Sequence, residues 1–329
     1  MEEGKIVGMG ETILDIVIGP DGTPRSARPG GSVFNALVSV ARSGRCAEFI
    51  SEVGDDHVGR LIRTFACQEG IGDQSITVNS GAQSHIALAF LDKAGNAQYQ
   101  FYKNYAAQHI SYQMPTMGPA DVLLYGSYFA LNPALRDAVS AGIEAARKMG
   151  SMLYYDVNFR ATHAHEAKSL WPVIADRMRA AHVVKGSDED VRYMFGTTDW
   201  RSAYHEHIEP LCPYFICTEG ADGATLLTPT VEYHVPSPKT QVVSTIGAGD
   251  TFNAGTLCGL LAQRTGAIRP EDEDFAERLV RGMELGVKWA AQVCGSLENY
   301  IPKGEQMVGR EELQLRWQQD DIHLNFAKK

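Results

Sequence analysis

The spacing of apolar residues changes several times along this chain, and each change marks an element. "KIVGMGETILDIVIG" is apolar on both sides of a Gly-rich bend, which predicts one strand passing into a second. In "GGSVFNALVSVARSG" the period lengthens. Val33, Ala36, Leu37, Val40 and Ala41 fall at helical spacing, and Gly44 supplies a stop. "AEFISEVG" reads as a strand, and "DDHVGRLIRTFACQEG" as a helix with Val58, Leu61, Ile62 and Phe65 on one face. From Ser84 to Lys103 the period shortens to two. "SHIALAFLDKAGNAQYQFYK" predicts a hairpin about a Gly-Asn turn, in which Ala97, Tyr99 and Phe101 alternate with polar neighbours and one face is wet.

Beyond the hairpin, strand and helix alternate. "DVLLYG", "SMLYYD", "HVVKG" and "YFICTEG" are strand-like. "NPALRDAVSAGIEAARKMG" is a helix that Asn132 can cap, with Pro133 suited to its first position. A second helix lies around Trp171 to Ala181. Two short strands, "ATLLTP" and "VEYHVPS", precede long helices from about Gly249 and about Phe275. This alternation predicts an α/β fold, a mostly parallel sheet covered on both faces. Ligands bind such sheets beyond the carboxyl ends of the strands. The chain has no internal repeat, low-complexity tract or long linker, so residues 1–329 are expected to form one domain. The early hairpin and the residues after Asp15 form a small β excursion. It serves either as a lid over the crevice or as an extension of the sheet edge.

Composition narrows the functional classes. A chain of 329 residues with 44% hydrophobic and 21% charged residues is that of a soluble globular protein. Thirty basic against forty acidic residues leave a formal charge of −10. That argues against nucleic acid or a membrane surface as partner, since both call for a basic patch. It leaves room for a local basic pocket. "MEEGKIVGMGE" lacks the build of a secretory signal, and no apolar run approaches the ~18–20 residues of a membrane span. The six cysteines show no C-x-x-C spacing and read as free buried thiols in a reducing cytoplasm.

The densest candidate chemistry is "STIGAGDTF". The first turn of a helix leaves backbone N–H groups without partners and carries the positive end of the dipole. Gly247, Ala248 and Gly249 would let an anion approach those amides closely, with Asp250 one turn in. Such an arrangement suits phosphoryl transfer, in which amides stabilise the moving phosphoryl and a carboxylate accepts the hydroxyl proton. The plainer reading is a Gly-rich helix entry with an acidic first turn. Walker and G-x-S-x-G motifs are missing, and "GMGETI" has two of the three dinucleotide-loop glycines. His163/His165 and His205/His207 read as surface histidines, without a clustered third ligand.

Two widely separated signatures, "PGGSVFNALVSVARSG" and "STIGAGDTFNAG", resemble those of the ribokinase/PfkB carbohydrate kinase family, with weaker likeness over nearly the whole chain. The resemblance implies a ribokinase-like three-layer α/β/α fold with a small β lid from segments near 14–30 and 84–108. It implies transfer of the γ-phosphate of Mg·ATP to a sugar hydroxyl, with a cofactor set of ATP and Mg2+. Asp250 resembles the family's catalytic base, and Gly247, Ala248 and Gly249 its anion hole. "GETILD" resembles the fructokinase opening, so Asp15 would bind sugar hydroxyls opposite Gly30, Gly31 and Asn35. "TEGADG" resembles the nucleotide loop, which makes Thr218, Gly220 and Gly223 ATP-binding candidates. "DVNFR" resembles D-P-N-x-R, through which Arg160 would reach substrate or phosphate. Lys103 stands where related lids carry arginine.

Several positions depart from the family pattern. Ser244 replaces the aspartate of the monovalent-cation site, which puts potassium activation in doubt. "KGSDED" stands for K-x-N-x-x-E, the element that meets ATP and organises magnesium through water. Ser187 and Asp190 there read equally as a helix capping box. Val157 replaces a proline, and Gln108 a position often acidic in fructokinases. The resulting expectation is a fructokinase-like enzyme. The alternatives are a 2-keto-3-deoxygluconate kinase, a ribokinase or nucleoside kinase, and a catalytically silent relative that binds sugar or nucleotide. An exposed lid edge also invites pairing of two copies.

Overall fold

The structure is a computed structural model that describes residues 4–92, 97–103, 110–263 and 266–304. Its main sheet is built on β1 (Ile6–Met9), with β4 (Ala47–Gly54) on one side and β9 (Val122–Gly126) on the other. From β9 it continues through β10 (Met152–Asp156), β11 (Val183–Ser187) and β12 (Phe215–Thr218), all parallel. Antiparallel β13 (Gly223–Leu227) and β14 (Glu232–Pro236) close that edge. Short β5 (Ile71–Gly72) and β6 (Ile76–Asn79) pair with β4.

The parallel strands are apolar on both faces because both faces are covered. On one side Tyr154, Leu124 and Ile216 pack with α1 (Ser32–Arg42), α2 (His57–Gln68) and the last two helices. On the other, Tyr155, Leu123 and Phe215 meet α3 (Arg136–Lys148), α4 (Ala167–Ala180), α5 (Asp188–Phe195) and α6 (Trp200–Ala203). The last helices are α7 (Ala248–Ala262) and α8 (Phe275–Cys294). This is the expected three-layer α/β/α arrangement. The chain leaves β1 first toward β4 and later returns to β9, so a crevice opens beyond the carboxyl ends of β1 and β9.

A second sheet of four strands runs β3 (Pro24–Gly30), β2 (Ile13–Ile18), β7 (Ile86–Leu91), β8 (Ala97–Tyr102). The hairpin of β7 and β8 forms as its spacing predicts, while the Gly-Asn turn and Gln108 lie outside the described residues. Its expected dry face is not dry. Tyr99 and Phe101 stay 44% and 49% exposed, because they look into the crevice rather than a core. Leu61 is also exposed, since α2 packs through Gly59, Ile62 and Ala66. All six cysteines are free, yet Cys46 and Cys67 are exposed rather than buried.

Candidate functional site

Asp250 lies in the first turn of α7 and is 8% exposed. Two side chains of α1 hold it. Ser32 Oγ donates to Oδ1 at 2.8 Å, and Asn35 Nδ2 donates to Oδ2 at 2.9 Å. Burial raises its pKa above the usual carboxylate range, while the Asn35 bond and the nearby Arg160 charge oppose the rise. The outcome is a fixed carboxylate more basic than an exposed one. Gly247 precedes it at φ 80°, and a Cβ there would collide with the Asn299 carbonyl. The loop can therefore make this turn only as glycine, and within it the Ala248 amide donates to the Thr245 carbonyl at 3.3 Å. The amides at the mouth of α7 and the ammonium of Lys185 fit a phosphate group. A Cβ added at Gly249 would lie 3.4 Å from Lys185 Nζ.

Lys185 had no assigned role in the sequence. It is 5% exposed and pairs with Asp156, Nζ to Oδ1 at 3.1 Å; the two are register partners on β11 and β10. Burial works against the ammonium, but Asp156, Asp190 and Asp250 outweigh it and raise its pKa. Asn253 Nδ2 fixes the other Asp156 oxygen at 2.7 Å, and Tyr154 OH donates to Asn253 at 3.1 Å. A charge inside the apolar run "HVVKG", beside a strand ending "YYD", was the available signal.

Ser187 and Asp190 form the capping box. The Asp190 amide donates to Ser187 Oγ at 3.0 Å, and the Ser187 amide to Asp190 Oδ2 at 2.8 Å. Burial raises the Asp190 pKa against the pull of Lys185. Among the described residues no three histidine, cysteine or acidic side chains converge on a metal-sized space. Thr218 pairs with Ser187 across β12 and β11. Gly220 and Gly223 follow at φ 58° and 115°, so the "TEGADG" turn requires its glycines. Ser244 Oγ accepts from the Ile246 amide at 3.2 Å.

The other group of predicted residues does converge. Asp15, on β2, is half-buried, and a Cβ on Gly30 would collide with its carboxylate. Gly31, at φ 122°, turns the chain into α1. Burial, then the charges of Glu11 and Asp250, push the Asp15 pKa up to about 7 against Lys103 and Arg160. Arg160 is exposed beyond β10, with Asp15, Tyr99 and Asp250 in its field. Lys103 Nζ bridges both Glu11 oxygens at 3.0 and 2.9 Å. Asn35 Oδ1 is buried with no hydrogen-bond partner, 3.7 Å from where a Gly30 Cβ would sit. Such an acceptor calls for an incoming donor, and a hydroxyl supplies one. Tyr99 and Phe101 stack with ring centres 5.8 Å apart on the same side of β8 as Lys103. Glu11 and Ser32 were the residues missed here.

Residues 7–301 match the model of the pfkB family carbohydrate kinases. Fructokinase-1 of Oryza sativa subsp. japonica is 26% identical over 310 residues, covering 89% of this chain and 90% of the relative. Among solved structures, aminoimidazole riboside kinase from Salmonella enterica, complexed with aminoimidazole riboside and an ATP analog, superposes with TM-score 0.74 at 23% identity. That alignment covers 95% of this chain and 99% of the other. Fructokinase from Vibrio cholerae O395, with fructose, ADP and calcium ion bound, gives TM-score 0.76 at 19% identity, over 91% and 95%.

Proposed function

The chain belongs to the pfkB family of carbohydrate kinases, and from that premise we propose a fructokinase-like ATP-dependent enzyme with Asp250 as its base. One observation carries the reading. A buried carboxylate held by Ser32 and Asn35 stands at the amide-lined mouth of α7, next to an unpartnered Asn35 Oδ1 and to Asp15. The γ-phosphate of ATP would lie against the amides of 247–249 and Lys185. The acceptor would sit between Asp15, Asn35 and the four-stranded sheet. That geometry aligns an acceptor hydroxyl between base and phosphoryl, the main contribution a kinase makes.

In the step itself the hydroxyl oxygen bonds to phosphorus as the bond to the leaving ADP oxygen breaks, and Asp250 takes the hydroxyl proton. A carboxylate suffices because that proton leaves late in a loose transition state. Lys185 and the amides hold the charge of the moving phosphoryl. Mg2+ would enter with the nucleotide phosphates and neutralise their charge when bound, with Asp190 within reach only through water. Thr218, Gly220 and Gly223 would meet the nucleotide. Ser187, which caps α5 and faces Thr218, would support that loop. The four-stranded sheet would act as a lid on a single kinase domain and exclude water. Its edge strand suits pairing with a second copy, and the enzyme would work in the cytoplasm.

The Tyr99–Phe101 stack favours a second reading, a nucleoside acceptor whose flat base lies on the rings. The test is ADP release with Mg·ATP over fructose, other hexoses, ribose, nucleosides and 2-keto-3-deoxygluconate, with and without potassium, beside Asp250→Asn. Acceptor-dependent release is expected with fructose and indifferent to potassium. It should fall ~10²–10⁴-fold in the variant, the loss expected for a positioned base. Transfer that survives in Asp250→Asn would remove the assignment of the base.

A further inference from the structure

We infer that Glu11 sets the acceptor class: by occupying Lys103, it denies the acceptor site an ammonium for a carboxylate and reserves the site for uncharged sugars. The inference rests on the kinase reading above and adds the charge of the acceptor to it. Glu11 leaves the carboxyl end of β1, and Lys103 follows β8, so the pair ties the second sheet to the mouth of the crevice. It is sheltered, with side chains 15% and 11% exposed, and both carboxylate oxygens lie on the one ammonium. Lys103 also stands 5.0 Å from the centre of the Phe101 ring.

The remaining charges decide the sign of the site. Asp15 feels the carboxylates of Glu11 and Asp250 and the cations of Lys103 and Arg160, and its own carboxyl ionises only as pH rises through about 7. Of those cations, Arg160 is exposed and lies in the fields of both Asp15 and Asp250, whereas Lys103 is sheltered and held by Glu11. An incoming carboxylate that turns to Lys103 would have to displace Glu11, and one that does not would stand near Asp250 and an ionising Asp15. Either costs binding energy that a neutral polyol keeps. A neutral acceptor instead donates hydroxyl protons to Asp15 and Asn35 Oδ1 and lays carbon–hydrogen faces on Tyr99 and Phe101.

The test compares fructose with 2-keto-3-deoxygluconate by calorimetric binding and by turnover, in the wild type, in Glu11→Gln and in Glu11→Gln/Lys103→Gln. The wild type should bind the neutral sugar more tightly. In Glu11→Gln the ratio of acid to neutral binding should rise about tenfold or more, and removing Lys103 in that background should take the gain away. Tighter binding of the acid by the wild type overturns the inference. So does an unmoved ratio in a Glu11→Gln protein whose melting curve is native. If no acceptor is turned over, the kinase reading fails, while the binding ratios still decide the role of Glu11.

Discussion

Asp15 holds a proton near neutrality, and that makes its charge a property of the fold. Its pKa rises from 3.8 to about 7, chiefly through burial. In the window between those values the folded protein keeps a proton that the unfolded chain has released. Its stabilising contribution is therefore complete below pH 3.8 and lost as pH rises through about 7. Asp15→Asn cannot ionise, so denaturant unfolding at pH 5 and pH 8 should show a smaller loss of stability in the variant. A residual slope is expected from Asp250 and Asp190, which are raised in the same direction. In the wild type, kcat/KM for the acceptor should climb through pH 7 as Asp15 becomes a better hydroxyl acceptor. A flat profile would remove Asp15 from acceptor binding. Asp250 was legible because its loop carries glycines at fixed offsets, and Asp15, on β2, through the likeness of "GETILD" to the fructokinase opening. Glu11, Ser32, Asp156 and Lys185 were not, since each gains meaning only from a partner at least 29 residues away, the closest being Asp156 and Lys185.

At the scale of elements, α7 and α8 cross on glycine. A Cβ on Gly255 would stand 2.7 Å from the Gly286 Cα, and one on Gly259 would stand 2.9 Å from the Gly282 Cα. The two backbones thus meet without side chains between them, which seats the first turn of α7 against the sheet. Gly286→Ala should lose stability by ~1–3 kcal/mol from overpacking. The helix propensity of alanine returns only about 1 kcal/mol. The clash prevails because the new Cβ would meet Thr256 Oγ1 at 2.5 Å and the Phe252 carbonyl at 2.8 Å, with backbone on one side. Kinase activity should fall as well, since Asp250 rides on α7. Thermal unfolding with parallel turnover checks both, and an unchanged midpoint would refute the close crossing. Most long elements were readable from period, but short β5, β6 and α6 were not. Asn132 caps a 3-10 turn, Pro133–Leu135, through Oδ1 accepting from the Ala134 amide at 3.0 Å, so that α3 begins only at Arg136. The face of α2 was misread because it packs through Gly59 and Ala66 as well as Ile62, and small residues leave little hydrophobic signal.

For the molecule as a whole, the crevice joins two sheets. Asp15 and Lys103 come from the four-stranded sheet, and Asp250 from the main body. Acceptor and nucleotide together should therefore protect backbone amides of β2, β3, β7 and β8 from hydrogen exchange, whereas nucleotide alone should protect residues 218–223 and 244–250. Saturating ligand at a hundred times Kd should add about 2.7 kcal/mol to stability. Protection of the four-stranded sheet by nucleotide alone would reverse the assignment of the two ends.

The sequence by itself determined the order of strands and helices, their burial on two faces and the Gly-rich entry to α7, because period and backbone freedom are local properties. Tertiary structure alone decided that Lys185 lies beside Gly249 and Asp156, that Asn35 spends its amide on Asp250, and that Glu11 occupies Lys103. Each of these depends on the distance between polar or charged groups that the fold brings together from remote parts of the chain. Electrostatic energy depends on that separation and on burial, neither of which a linear sequence records.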